Sequence, residues 1–410
     1  MLFTKSLAAL GALTGVVASP IAADLEDRAL RFTQTSTVAA SMQGHGYGIQ
    51  TSMGGQLLTT GLHFLDGTLL VAYKPQLSFT YQQGPTTPTG NASNAQDTFG
   101  IFLTLYKWFH MDFLSVETDN QFFPVWHGKP LVPATLGFGF NNDRVEDGLS
   151  YGPSWWQQAS GSWPEPTIGL YLNPVYHALN VTHLDQLPKQ DQWLSAGSIK
   201  WGGIDSYYSK GNVDYVNVMG PVIGTEQNWL FAGDGIKVNG ASMDLGGVAL
   251  TFTPFLAPWI QLPRSVADKL HEGVAGAVAV DVTSDQGDMR QYSVPCGATE
   301  VITLTLGGVD YPIPPILWVK RNNDGTCASA FQTIPSAFGD GPYFMQLGTT
   351  FLSTVYTVLK FNAANDSPAQ LGFSSVPCGR AAIDARTGST KYTPCGSGGG
   401  LLSGLLNLFH

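Results

Sequence analysis

The chain is patterned in short apolar stretches that break off at turn residues, with few long amphipathic runs. YGIQTSM (47–53), QLLTTGLHFL (56–65), TLLVAY (68–73), GIFLTLYKW (100–108), SIKWGGI (198–204), GVALTFTPFL (247–256), VITLTLGG (301–308) and YTVLKFN (356–362) are rich in β-branched and aromatic residues. Gly, Pro, Asn or Ser bound them, which is the signature of strands closed by turns. Helical spacing is sparse. PRSVADKLHEGV (263–274) places Val266, Leu270 and Val274 at i, i+4 and i+8 behind a proline and predicts a helix. PSWWQQASGS (153–162) predicts a shorter one. The pattern predicts an all-β protein with a few short helices.

Composition agrees with that. Charged residues make up 12%, against 48 glycines and 25 prolines. The 410 residues suffice for two domains or one large one. A net charge of −10 with no basic run argues against nucleic acid as a partner.

MLFTKSLAALGALTGVVASPIAA (1–23) carries a lysine, an apolar stretch and then small residues, the order of a secretory leader too short to span a bilayer. No later apolar run reaches membrane length, and the expected destination is the lumen of the secretory route, the vacuole or the outside. Four cysteines, Cys296, Cys327, Cys378 and Cys395, suit disulfides in such a chain. Three connectivities are open, and the local pairs Cys296–Cys327 and Cys378–Cys395 are expected. Asn91 and Asn180 head glycosylation sequons, while Asn365 is weakened by the proline after its own. GPTTPTGNASNAQD (84–97) reads as a mobile, glycosylated loop and GSGGGLLSGLLNLFH (396–410) as a flexible tail.

Several chemical motifs are weak. GLSYG (148–152) matches a serine-hydrolase elbow, but polar NNDRVED precedes it where the elbow needs a strand. His110 and Asp112 share one face of a strand, which suits a hydrogen-bonded pair as well as chemistry. There is no HExxH, Walker loop or GxGxxG, so no metal or cofactor is expected. Trp155 and Trp156 are read as core residues ahead of a carbohydrate platform.

A set of stretches taken together resembles the pepsin-like aspartic protease family. TLGFGFNND (135–143), WWQQASGSWPEPTIGLYLN (155–173), GSIKWGGIDSYYSKGNVDYVNV (197–218), NWLFAGDGIKVNG (228–240) and LGTTFLSTVYTVLKF (347–361) follow the family's order and spacing. Cys296 and Cys327 fall where its C-terminal disulfide lies. The resemblance implies a bilobed fold with a central cleft. It divides the chain into a leader (1–20), a short segment (21–44), lobes at 45–215 and 216–380, and a tail (381–410). In that family two Asp-Thr/Ser-Gly loops face each other on the cleft floor, and their carboxylates share a proton to activate water.

This sequence departs from that pattern at both loops. In HFLDGTLLVAY the gapless match puts Leu65 in the acid's place, Asp66 in the threonine's and Gly67 in the glycine's; a one-residue deletion keeps Asp66 and loses the threonine. In TFTPFLAPW the acid's place falls on Pro254, nine residues before Pro263, and no acid lies between Gly246 and Arg264. Thr349 stands where the family has an acid after Leu-Gly. The flap-like LSFTYQQGPTTPTG (77–90), with Tyr81 at the family's tyrosine, follows the first loop too soon.

The expectation from these departures is a secreted, non-proteolytic homologue, monomeric and without a cofactor. Its cleft, relined by Leu65, Gly67, Thr68, Tyr81, Thr253, Pro254 and Phe255, would bind a hydrophobic small molecule, a peptide or a secreted protein. Two alternatives remain: a cyclase or isomerase using Asp66 as a lone acid, or an active endopeptidase with an atypical dyad.

Overall fold

The computed structural model describes the chain in segments between Thr33 and Tyr392. Side chains are described chiefly within 134–140, 154–172, 197–219 and 229–376; internal stretches including 65–66, 74–81, 173–192, 220–228 and 254–255 are left out.

The protein is built of strands with a few short helices. Alternation accounts for individual hairpins. In Ile302–Leu306 (ITLTL) the aliphatic residues are buried and the threonines half-buried, the period of a strand with one face on the core. Gly307 and Gly308 both take positive φ, 58° and 77°, giving the turn whose twist matches its flanking strands. Asn239 and Gly240, at 49° and 83°, do the same between Gly235–Val238 and Ala241–Met243. The predicted helix at 263–274 is observed as Arg264–Glu272, burying Val266, Ala267, Leu270 and His271. PSWWQQASGS gives the helix Trp155–Ser160.

The bilobed pepsin-like fold class is corrected by the strand order. Gln34–Ser41 pairs with Trp193–Trp201, which pairs with Thr167–Leu172. Val355–Asn362 follows, then Ser367–Ser375, then Asp214–Val216. One sheet of thirteen strands thus joins the opening strands of the described chain to closing ones. With a five-stranded and two four-stranded sheets it makes a four-bladed, propeller-like arrangement rather than two lobes flanking a cleft. The cleft as a ligand site falls with it, and so do the lone-acid enzyme and the atypical-dyad peptidase that were placed in it.

One local pattern occurs twice. Ala134–Gly137 lies between two strands, parallel to Gln56–His63 and antiparallel to Leu69–Tyr73. Phe344–Leu347 is likewise parallel to Ala249–Phe252 and antiparallel to Ile260–Leu262. In both cases the flanking strands are the two that border one of the loops singled out by sequence.

A continuous apolar core joins these parts. Trp155, Trp156, Trp163, Trp201 and Trp229 are fully buried within it. Their indoles pack edge-on or tilted against Phe138, Phe140 and each other, and Trp156 stacks on Phe361. A buried indole N–H needs an acceptor. Trp201 donates to Ser36 Oγ at 2.8 Å, Trp156 to Gly139 O at 2.9 Å and Trp229 to Phe138 O at 2.7 Å. Trp155 and Trp156 are core residues, not a platform.

Candidate functional site

At the first loop the strand Gln56–His63 runs into buried Phe64. Leu65, Asp66 and Thr68 lie outside the described residues, as does Tyr81. Gly67 is described, and close approach explains why a glycine stands there. A Cβ would meet Ser154 Oγ and lie 2.7 Å from Gly139 O. Its carbonyl accepts from Trp155 N–H at 2.9 Å. The turn is clamped by the start of the helix Trp155–Ser160.

The second loop follows Ala249–Phe252. Thr253 is buried, and its N–H donates to Leu347 O at 3.0 Å. Pro254 and Phe255 are outside the described residues. The chain then passes through Leu256, buried and at φ 55°, a left-handed conformation uncommon for a branched residue. Thr349 N–H donates to Ala257 O at 2.9 Å, and Thr350 Oγ1–H donates to Pro258 O. Gly348 is wedged between Ala257 O and Trp259 O, each 2.1 Å from where a Cβ would sit.

Phe64 at the first loop touches Phe252 at the second, ring centroids 4.7 Å apart, and both are buried. Phe138 and Phe231 extend the contact at 5.4 and 5.7 Å. The strands that border the two loops therefore meet through aromatic rings. Of the sequence-derived lining residues, Gly67 and Thr253 are placed, and both are engaged in packing and backbone hydrogen bonds.

The other motifs resolve simply. Ser150 belongs to the two-residue strand Leu149–Ser150, paired with Val145–Glu146 as a hairpin, not to a strand-to-helix elbow. His110 and Asp112 both lie on Trp108–Glu117. Cys296 and Cys327 form a disulfide; Cys378, Cys395, Asn91 and Asn180 lie outside the described residues. No group of metal-ligating side chains occurs among the described residues, and no helix among them is long and apolar enough to cross a membrane.

Charge is concentrated elsewhere, around the helix Arg264–Glu272 and the hairpin Val278–Ser284/Gly287–Ser293. Arg290 bridges Asp281 at 2.8 Å and Asp268 at 3.1 Å, and Arg264 reaches Asp281 at 3.1 Å. Tyr292 Oη donates to Asp268 at 2.5 Å and its ring stacks on His271 with centroids 3.6 Å apart. Burial disfavours the Asp268 carboxylate, but hydrogen bonds from Tyr292 and Arg290 outweigh it and lower its pKa. Burial pulls the His271 imidazole down to about 4.

Sequence reasoning missed an aromatic surface on the outer face of the thirteen-stranded sheet. The segment Gly202–Ser209 lies across that face. Asp205 N–H donates to Tyr356 Oη at 2.8 Å, Tyr208 stacks on Tyr171 at 4.3 Å, and Ser209 Oγ pairs with Ser374 Oγ at 2.8 Å. Tyr207 and Tyr215 are 50% and 41% exposed. The signal lies in IDSYYSKGNVDY (204–215), with three tyrosines and two aspartates close together.

Comparison with known proteins places the chain among relatives of the aspartic proteases. A family model for eukaryotic aspartyl protease matches residues 186–373. Major aspartyl peptidase 1 of Cryptococcus neoformans var. grubii is 25% identical over 235 residues, covering 55% of this chain and 45% of that protein. A probable aspartic-type endopeptidase CTSD of Arthroderma benhamiae is 30% identical over 234 residues, covering 56% and 41%. Pepsin A of Rhinolophus ferrumequinum is 27% identical over 181 residues, covering 43% and 42%. The chain thus spans under half the length of these curated relatives. It is a distant homologue, over part of its length, of the pepsin-like aspartic proteases.

Proposed function

We propose that this chain is a recognition protein of the secretory route that binds a partner at its outer surface and does not cleave peptides. The observation that carries this reading is the second loop. From Gly246 to Arg264 it has no carboxylate, and its described residues are held by backbone hydrogen bonds and apolar packing. Water activation by a carboxylate pair needs two acids sharing a proton; here one of the two strands bordering that place contributes Phe252 and the other partner loop contributes Phe64. The relatives are named as peptidases, and the matched part of this chain lacks an acid at the second loop. The leader-like residues 1–20 and the Cys296–Cys327 disulfide support an oxidising, exported setting.

The test is peptide turnover. The purified chain, incubated with a mixture of unstructured peptides across about pH 3 to 7, where carboxylates change protonation, is expected to leave every peptide intact by mass spectrometry. Cleavage that grows with protein concentration and vanishes in Asp66→Asn would overturn the reading.

A further inference from the structure

We propose that the chain forms a dissociable homodimer by pairing the strand Val278–Ser284 antiparallel with the same strand of a second copy, in place of the monomer expected from the sequence. The strand is the edge of its four-stranded sheet. Gly287–Ser293 pairs with one side of it, and among the described residues no strand pairs with the other. The register runs without a bulge from Val278↔Ser293 to Ser284↔Gly287, and VAVDVTS holds no proline and no lysine. Bulges, prolines and lysines are the usual guards of a sheet edge. The side chains alternate between the two faces. Ala279 and Asp281 lie opposite Tyr292 and Arg290, on the face toward the helix Arg264–Glu272. Val278, Val280 and Val282 lie on the other face, opposite Ser293, Gln291 and Met289. Val278 is 60% and Val280 44% exposed.

The strand's own pattern selects a second copy as the occupant. A two-fold axis perpendicular to the sheet keeps every side chain on its face, so a residue pairs only with one an even number of positions away. Three centres then fall within the valine stretch. Centred on Asp281, the pairing would set two carboxylates directly opposite each other, which is destabilising. Centred on Ala279, it would leave Val282 without a valine partner. Centred on Val280, it sets Val280 against itself, Val278 against the second copy's Val282, and Asp281 against the second copy's Ala279. The valines of both copies then form one apolar row, and β-branched side chains suit such a pleated surface. Charge does not oppose the contact locally. Asp281 is held by Arg290 at 2.8 Å and by Arg264 at 3.1 Å, and Asp268 balances the second arginine. The net charge of −10 repels the copies at longer range. One seven-residue edge is also small beside the ~1,600 Å² of a standard interface. The dimer is therefore expected to dissociate in the micromolar range or above, and to strengthen as salt screens the repulsion.

The experiment is sedimentation equilibrium of the full chain over a range of concentrations, at low and moderate salt. A monomer–dimer equilibrium is expected, shifted toward dimer as salt rises. Val280→Lys, at an exposed position, sets two ammonium groups opposite each other across the axis and is expected to weaken dimerisation by about tenfold. Two double variants test the register. Val278→Lys with Val282→Glu places each lysine against a glutamate of the second copy and is expected to keep the dimer. Val278→Lys with Val282→Lys places lysine against lysine and is expected to lose it. Unchanged near-ultraviolet dichroism identifies variants that remain folded, and where a double variant does not fold, Val280→Lys alone decides. A monomer at every concentration, a dimer weakened by salt, a dimer indifferent to Val280→Lys, or double variants that dimerise alike overturns the inference. Peptide turnover has no part in this readout, so the inference and the non-peptidase reading fail separately.

Discussion

Gly348→Ala is expected to destabilise the protein by about 3 kcal/mol, the upper end of the usual cost of overpacking. The added Cβ would sit 2.1 Å from both Ala257 O and Trp259 O. Neither carbonyl is free to retreat. Ala257 O accepts from Thr349 N–H, and the chain beyond Trp259 enters the strand Ile260–Leu262, whose Ile260 N–H donates to Ala330 O. Moving the loop would break the bonds that hold it to Thr349, Thr350 and Ala330. Gly161→Ala is the control. That residue has ordinary helical φ of −59° and nothing within 4 Å of an added Cβ, so its substitution is expected to be neutral or stabilising by about 0.5 kcal/mol. Urea unfolding of the two variants checks the pair. Similar midpoints for both would mean that the loop at 256–259 is not fixed against Gly348.

Acid sensitivity in the pH range above the carboxylates is expected to come from His271. The unfolded chain takes up this proton near 6.5, the folded one only near 4. The unfolded state therefore binds more protons between those values, and stability rises with pH across them. Stability is complete above pH 6.5, declines by about 3 kcal/mol as pH falls toward 4, and changes no further through this group below that. The groups facing it are Asp268 one turn earlier and Tyr292 stacked on its ring, with Arg290 beyond them. Asp268 and Asp281, both with lowered pKa, contribute stability that is lost only at still lower pH. His271→Phe preserves the stack and removes the titration, so its stability is expected to be flat between about pH 6.5 and 4.5. Equal slopes in the two proteins would show that another group is responsible.

Elements were legible in this sequence, and their assembly was not. Ile302–Leu306, the hairpin turns at Asn239–Gly240 and Gly307–Gly308, and the helix behind Pro263 follow from local pattern and turn chemistry. The Cys296–Cys327 bridge was one of the local pairs expected. Strand order depends on contacts between distant segments, such as Thr167–Leu172 with Val355–Asn362, which no local pattern encodes. The resemblance filled that gap with two lobes, and the observed pairing replaced them. At the loops, the loss of the second acid was readable from TFTPFLAPW alone. The Phe64–Phe252 contact was not, because it needs two strands from different sheets to meet. The tyrosine face was hidden for a similar reason: Tyr207 and Tyr208 gain meaning only when Gly202–Ser209 is seen lying over Tyr171 and Tyr356.

The most direct measurement passes a peptide library of mixed charge over the immobilised full chain at mildly acidic pH, with retained and unretained fractions sequenced by mass spectrometry. The account predicts that the peptides of both fractions are intact. Cleaved peptides that disappear with Asp66→Asn would contradict it.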